Sequence, residues 1–311
     1  MPLDFGALRF EHPIQELVRR RISIRRYVAQ ILSGPAREEL ERAVRSLGRG
    51  PFGAECRFTL LDVGAVKAGG GPAGAGRAAP EPPLRLGTYG MIRGARTFLA
   101  GAVQAADRAF EDFGYLLELL VLKATDLGLG TCWLGGTFRR SGFARALGLR
   151  RGELLPAVSP VGAPTERRDL LEQMIRFGAG SARRRPWEEL FFDGGRNRAL
   201  TPASAGACAG ALEAVRLAPS ASNRQPWRIL REREGGPFHL FLERTPGYGM
   251  LSGSDLQRLD MGIAMAHFDL AAAEAGLAGG WVRLSAPPAL SGKPGGPEPE
   301  YIATWLPRAG A

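Results

Sequence analysis

DFGYLLELLVLKATDLGLGTCW, Asp112 to Trp133, and DMGIAMAHFDLAAAEAGLAGGW, Asp260 to Trp281, decide how this chain is built. Laid over one another without a gap, they share Asp112/Asp260, Gly114/Gly262, Gly128/Gly276, Leu129/Leu277 and Trp133/Trp281. Glycine and leucine coincide often by chance, but two tryptophans and two Gly-Leu turns in one frame rarely do. A second ungapped match lies upstream, AVRSLGRGPFGAECRF from Ala43 over AVRLAPSASNRQPWRI from Ala214. The chain therefore reads as two copies of one unit, with a period far longer than the roughly 20–50 residues of solenoid repeats. The expected units are residues 1–192 and 193–311, linked through Phe192–Arg198.

Each copy mixes helical and extended patterns. In the first, apolar spacing from Arg37 suits an amphipathic helix, Cys56–Gly64 alternates like a strand, and Ala95–Val103 reads as a buried strand. Aliphatic residues nearly surround the helix expected over Phe110–Asp126. A helix apolar on all sides has to be buried, and its natural partner is the equivalent helix, Leu259–Ala275. Gly128 and Gly276 read as the glycines that close the two helices. Leu154–Pro164 then reads as a strand and a turn. The expected fold class is α+β, two tandem copies forming an intramolecular pseudo-dimer about a pseudo-twofold axis. No GxGxxG follows a strand, so a Rossmann cofactor site is not supported. The first copy carries an extra segment rich in Gly, Pro and Ala over Val63–Gly87, expected to be a mobile surface loop.

Composition excludes several function classes. The 311 residues suffice for a sizeable core. The formal charge of +10 comes almost wholly from arginine, with lysine only at Lys67, Lys123 and Lys293. These arginines are scattered, without the interleaved aromatics of a single-strand binder, so no nucleic-acid partner is expected. No apolar run approaches the roughly 20 residues of a membrane helix. The first residues lack the pattern of a signal peptide, so a cytoplasmic protein without membrane contact is expected. Cys56, Cys132 and Cys208 have no metal-ligand spacing, and with three histidines no metal site is expected. His267 reads as a packed or capping residue on a helical face.

Four stretches carry chemistry. RISIRRY, Arg21 to Tyr27, sets two arginines around a serine, a donor set that suits a phosphate. The bland alternative is a solvated arginine-rich face, since Arg19, Arg20 and Arg26 crowd the same segment. APSASNRQPW, Ala218 to Trp227, is a polar loop ending in a Pro-Trp step. Pro, Ser and Asn favour such a turn for backbone reasons alone. LGLGTCWLGG, Leu127 to Gly136, follows the first long helix, and ARRRPWEEL, Ala182 to Leu190, gathers arginines ahead of a Pro and an acidic helix start.

Together these segments resemble the nitroreductase family, over most of the chain. In that family a segment of the form RRSxRxF holds the phosphate of flavin mononucleotide (FMN), which implies Arg21, Ser23 and Arg25 here, with Tyr27 as the aromatic. The family's PSxxNxQPW element is reproduced by Pro219–Trp227. It implies that Ser220 and Ala221 let the backbone approach the flavin ring, and that Asn223 offers its amide to the pyrimidine end. The turn after Trp133 implies a backbone N–H at Leu134 and Gly135 directed at the flavin. The basic pair before Pro implies that Arg184, with Arg183 or Arg185, completes the phosphate pocket.

The two copies have lost complementary parts. The first keeps the phosphate arginines and WLGG but has GRGPFGAEC, Gly48 to Cys56, where the second has PSASNRQPW. The second has no RxSxR, and its turn reads WVRL. This pattern resembles the Thermotoga-type nitroreductases, a subfamily in which one chain holds two units. It implies one composite flavin site per chain and a monomeric pseudo-dimer. The implied activity is an FMN-dependent oxidoreductase in which NADH or NADPH reduces the flavin and a small-molecule electron acceptor reoxidises it in ping-pong fashion through flavin N5. No side chain is singled out as catalytic. The alternative from a different class is a non-catalytic flavin-binding protein used for sensing or storage.

Overall fold

A computed structural model describes residues 8–64, 87–165, 183–246, 253–292 and 296–308. Most of the Gly/Pro/Ala-rich segment, 65–86, lies outside the described residues, so the expectation of a mobile loop falls there.

After a short helix α1 (Ile14–Arg20) and the amphipathic α2 (Gly34–Ser46) come β1 (Cys56–Asp62) and β2 (Thr97–Gln104). The long helix α3 (Ala109–Asp126) follows, then β3 (Gly130–Thr131), α4 (Arg140–Leu147), β4 (Glu153–Leu154) and β5 (Val158–Gly162). The rest holds α5 (Trp187–Leu190), β6 (Phe191–Asp193), α6 (Pro202–Ala205), α7 (Ala209–Leu217), β7 (Trp227–Arg231) and β8 (Phe238–Leu242). The second long helix, α8 (Leu256–Glu274), β9 (Gly279–Val282) and β10 (Glu300–Pro307) complete it.

The strands form two sheets, β1-β2-β5-β3 with β4 beside β2, and β6-β7-β8-β10-β9. Apart from β4 and β6, the two orders match strand for strand, with antiparallel pairing throughout. β6 is the exception, a parallel edge strand on β7. The expected unit boundary at 192/193 falls inside it, so a segment counted with the first copy adds a strand to the second sheet.

The two long helices carry the centre of the molecule. Every residue of α3 except Phe110 is buried, as the all-round apolar pattern requires. α3 packs on α8 more extensively than any other two elements pack. They cross on glycine. A Cβ at Gly262 would lie 1.9 Å from the Glu111 carbonyl oxygen, and one at Gly114 would lie 2.3 Å from that of Leu259. Only glycine allows backbones so close. Both helices end in the same hydrogen-bonded closure, with Gly128 and Gly276 each at φ 73°. Leu129 N–H donates to Ala124 C=O and Leu277 N–H to Ala272 C=O, the six-to-one bond of a Schellman motif. The main apolar core runs through both sheets and both helices, from Leu99 and Phe113 to Trp227 and Phe268, with smaller clusters around Phe143 and Phe241.

Two buried polar groups on the long helices, Glu118 and His267, pair with one another inside this core. His267 Nδ1 donates to the Ala214 carbonyl, and Nε2 meets Glu118 Oε1 at 2.9 Å, so it is the packed residue its position suggests. The other oxygen of Glu118 accepts from Trp133 Nε1 at 2.6 Å.

The N-terminus of α1 has no side-chain cap of its own. Carboxylates from the ends of both long helices serve instead. Asp126 accepts from the Glu11 and His12 amides, and Glu274 from those of Ile14 and Gln15.

A side chain at the helix crossing has no room. Gly262→Ala is expected to lower the unfolding free energy by about 3 kcal/mol in urea denaturation, because one backbone must retreat from the other. A loss well under about 1 kcal/mol would mean that the helices part without penalty.

Candidate functional site

The segment after α1 is extended from Arg21, and extended backbone alternates its side chains. In Arg21-Ile22-Ser23-Ile24-Arg25 this puts the polar residues on one side and the isoleucines on the other. Ile24 is 4% exposed, and its N–H donates to the Thr131 carbonyl at 2.8 Å. Tyr27 is buried and donates its hydroxyl to the Ile24 carbonyl, fixing the far end. Arg21, Ser23 and Arg25 thereby line a cavity of about 420 Å³. They are not a solvated arginine face.

The opposite wall comes from the second half of the chain. Pro219, Ser220, Ala221, Ser222 and Asn223 line it, with Leu256, Leu259, Asp260 and Ile263 from one face of α8. Cys132, Trp133 and Gly135 close it after β3, and Arg184 reaches in beside them. A Cβ on Gly135 would meet Leu256 at 2.4 Å, so glycine there lets the turn after Trp133 reach the helix. Arg140 bolts this turn down, donating to the Gly135 carbonyl at 2.9 Å and to Ser254 Oγ at 3.0 Å.

The loop from Pro219 to Trp227 is held in an unusual shape. Ser222, Asn223 and Gln225 have φ of 48°, 54° and 50°, the left-handed region that side chains disfavour. Such residues carry about 1–3 kcal/mol of strain each and persist only where their surroundings fix them. Here side chains of the motif, with Asp260 from α8, do so. Ser220 Oγ accepts from the Gln225 amide at 2.9 Å, and Asp260 Oδ1 accepts from the Ala221 amide at 2.9 Å. Asn223 Nδ2 and Gln225 Nε2 both donate to the Arg183 carbonyl, and Gln225 Oε1 accepts from the Arg185 amide.

Three expected roles change as a result. Asn223 lines the cavity, but its amide is spent on protein, since Oδ1 accepts from Arg184 at 2.6 Å while Nδ2 holds Arg183. Its work is to fasten the arginine segment to the loop. Arg183 is exposed, does not line the cavity, and contributes its carbonyl. Leu134 is 3% exposed in the core beside Phe98 and Phe143, and its N–H donates to Val158. Of the pair after Trp133, only Gly135 reaches the cavity. The remaining expected residues, Arg21, Ser23, Arg25, Arg184, Pro219, Ser220 and Ala221, all line it together.

Electrostatically, the arginine end calls for an anion. Arg21 is 8% exposed, no hydrogen bond to its guanidinium is formed among the described residues, and its Nε is buried unpartnered. Burial pushes its pKa down, with Glu118 and Cys132 opposing the shift. Burial, with Arg21 and Arg216 adding repulsion, pushes Arg184 down to about 10. Burial also raises the Cys132 thiol in spite of Arg25, Ser23 and Arg21, so no thiolate nucleophile stands here.

Sequence reasoning missed Asp260 as a wall residue. Its equivalence to Asp112 was visible, but nothing local placed it in the cavity. Among the described residues no cluster of His, Cys, Asp or Glu could hold a metal ion, and no helix is long and apolar enough to cross a membrane.

A family model described as "Putative TM nitroreductase" matches residues 81–272. No curated protein matches the chain. Among solved structures, a protein of Thermotoga maritima described as a putative nitroreductase is similar at 18% identity and a TM-score of 0.55, covering 96% of this chain and 94% of that one. A structure from Desulfovibrio desulfuricans described as a putative nitroreductase in complex with FMN is 22% identical and covers 58% of this chain and 95% of that one, with a TM-score of 0.38. A Bacteroides fragilis nitroreductase with bound FMN is 16% identical, covering 50% of this chain and 90% of that one at a TM-score of 0.36. The last two are too distant in shape to bear on the fold; the Thermotoga protein shows it to be the nitroreductase-like α+β fold. With the family model spanning well over half of its length, this chain belongs to the nitroreductase family of the Thermotoga type.

Proposed function

We propose that the chain is an FMN-dependent oxidoreductase holding one flavin in the cavity between Arg21 and Asp260. The observation that carries this reading is the buried guanidinium of Arg21, hydrogen-bonded to none of the described residues and gathered with Ser23, Arg25 and Arg184 at one cavity. A buried guanidinium without hydrogen-bond partners is unfavourable, and a phosphate dianion would supply them to Arg21 while drawing on the positive charge of its neighbours. The aliphatic side chains of Leu256, Leu259 and Ile263 suit a planar ring system, and the cavity volume suits one nucleotide-sized ligand. A bound flavin would supply hydride exchange, accepting from NADH or NADPH and delivering to a small acceptor such as a nitroaromatic or a quinone. The chain's own residues would bind, orient and shield it.

The reading of the chain as two fused copies bears on the number of sites. It is supported by the matched strand orders, the matched glycine crossing and the identical helix closures. Under that reading, Arg108 and Glu111 stand on α3 and its N-terminal flank where Leu256 and Leu259 stand on α8. They are buried and ion-paired at 2.9 Å, with Arg258 on Glu111 at 3.1 Å. The loop equivalent to Pro219–Trp227 lies against Asp112, whose carboxyl a Cβ on Gly50 would strike at 2.4 Å. An ion-paired wall in place of Leu256 and Leu259, and a loop packed on Asp112, support one site per chain.

Two measurements test this. Reconstituted protein should carry about one FMN per chain by absorbance; about two would refute the single composite site, and none would refute the flavin reading. Steady-state oxidation of NADH or NADPH with an added quinone should then proceed, whereas bound flavin that neither nicotinamide reduces would mean binding without turnover. Arg21→Met should weaken FMN binding by about 100-fold or more while raising the melting temperature of the ligand-free protein. The sign follows from the lowered Arg21 pKa, since a cation disfavoured in the fold destabilises it when no anion is bound.

A further inference from the structure

Two carboxylates at equivalent places in the long helices use their oxygens differently. Asp112 accepts from the Phe52 amide at 2.8 Å on one oxygen and from the Ala54 amide at 2.7 Å on the other. Both of its oxygens serve the backbone of the loop beside it, and Asp112 lines no part of the cavity. Asp260 accepts from a single amide, that of Ala221, through Oδ1. Its Oδ2 is buried without a hydrogen-bond partner.

Asp260 is 2% exposed and lines the cavity between Leu259 and Ile263. Native proteins seldom leave a buried polar atom unmatched, and one in the wall of a binding cavity points to a ligand as the missing partner. The rest of this wall is aliphatic, so a flat ring lying on it would find in Asp260 the one polar group there to meet the heteroatoms along its edge.

We propose that Asp260 is a flavin-binding residue, with Oδ1 holding the Ala221 loop in place and Oδ2 hydrogen-bonding a heteroatom on the edge of the ring. This rests on the flavin reading of the cavity. Burial holds the carboxyl well above the usual carboxylate range, the Ala221 amide opposing the rise and Asp255 adding to it. A protonated Asp260 is a donor at Oδ2 while Oδ1 still accepts from Ala221. One residue thus couples the shape of the strained loop to the presence of the ring.

FMN titration of the ligand-free protein, followed by the visible spectrum of the bound flavin, tests the assignment with three variants. Asp260→Ala should weaken FMN binding about tenfold and shift the visible absorption of the bound flavin. Asp260→Asn keeps an acceptor for Ala221 and a donor for the ring, so it should bind within about threefold of the unaltered protein. Asp112→Asn should lower the melting temperature and leave FMN affinity unchanged. Unaltered affinity and spectrum in Asp260→Ala would overturn the proposal. So would Asp260→Asn binding as weakly as Asp260→Ala, or Asp112→Asn weakening FMN as much as Asp260→Ala does. If the unaltered protein takes up no FMN, the flavin reading itself falls and this proposal with it; if it takes up FMN and Asp260→Ala does so equally, the proposal alone falls.

Discussion

The arrangement of this molecule is hung on the close approach of α3 and α8 at Gly114 and Gly262. Backbone meets backbone there, with a hypothetical Cβ at Gly262 only 1.9 Å from a carbonyl oxygen, so α3 and α8 sit as close as helices can. That closeness fixes where each sheet lies, since each long helix packs on strands of its own sheet. It also fixes the cavity, whose walls come from the segment after α1 on one side and from α8 and its loop on the other. An ångström of separation at the crossing would be transmitted to both walls, because closely packed interiors pass strain on rather than absorb it.

Much of this architecture is legible in the sequence, and for physical reasons. An aliphatic run with no polar face has no solution but burial, which is why the pairing of α3 with its partner is legible in the sequence. Gly128 and Gly276 were readable because a helix closure needs a left-handed residue, and both adopt φ 73°. The alternation in Arg21-Ile22-Ser23-Ile24-Arg25 likewise specifies which side chains share a face. What could not be read were roles decided by partners distant in sequence. Whether the Leu134 amide is free depends on Val158, and whether the Asn223 amide is free depends on Arg183 and Arg184. The parallel strand β6 was equally hidden. Three residues docking on an edge leave no periodicity long enough to detect.

The motif around Asn223 shows how a recognisable string of letters can describe a loop rather than a set of ligand contacts. Ser220, Asn223 and Gln225 spend their side chains on one another and on residues 183–185. Of this loop, the residues lining the cavity are Pro219 to Asn223. Spacing is then dictated by the geometry of the loop, and chemistry enters through what the loop carries, which here is Arg184.

The mutual fastening of that loop and the arginine segment has a consequence for dynamics. Arg183 to Arg185 hold Asn223 and Gln225, and those side chains in turn hold left-handed residues that would otherwise relax. Neither piece keeps its conformation without the other, so the two order and fray as one local folding unit. A ligand gripping Arg184 therefore stiffens backbone on the far wall that it need not touch, and the ordering entropy is met once for both.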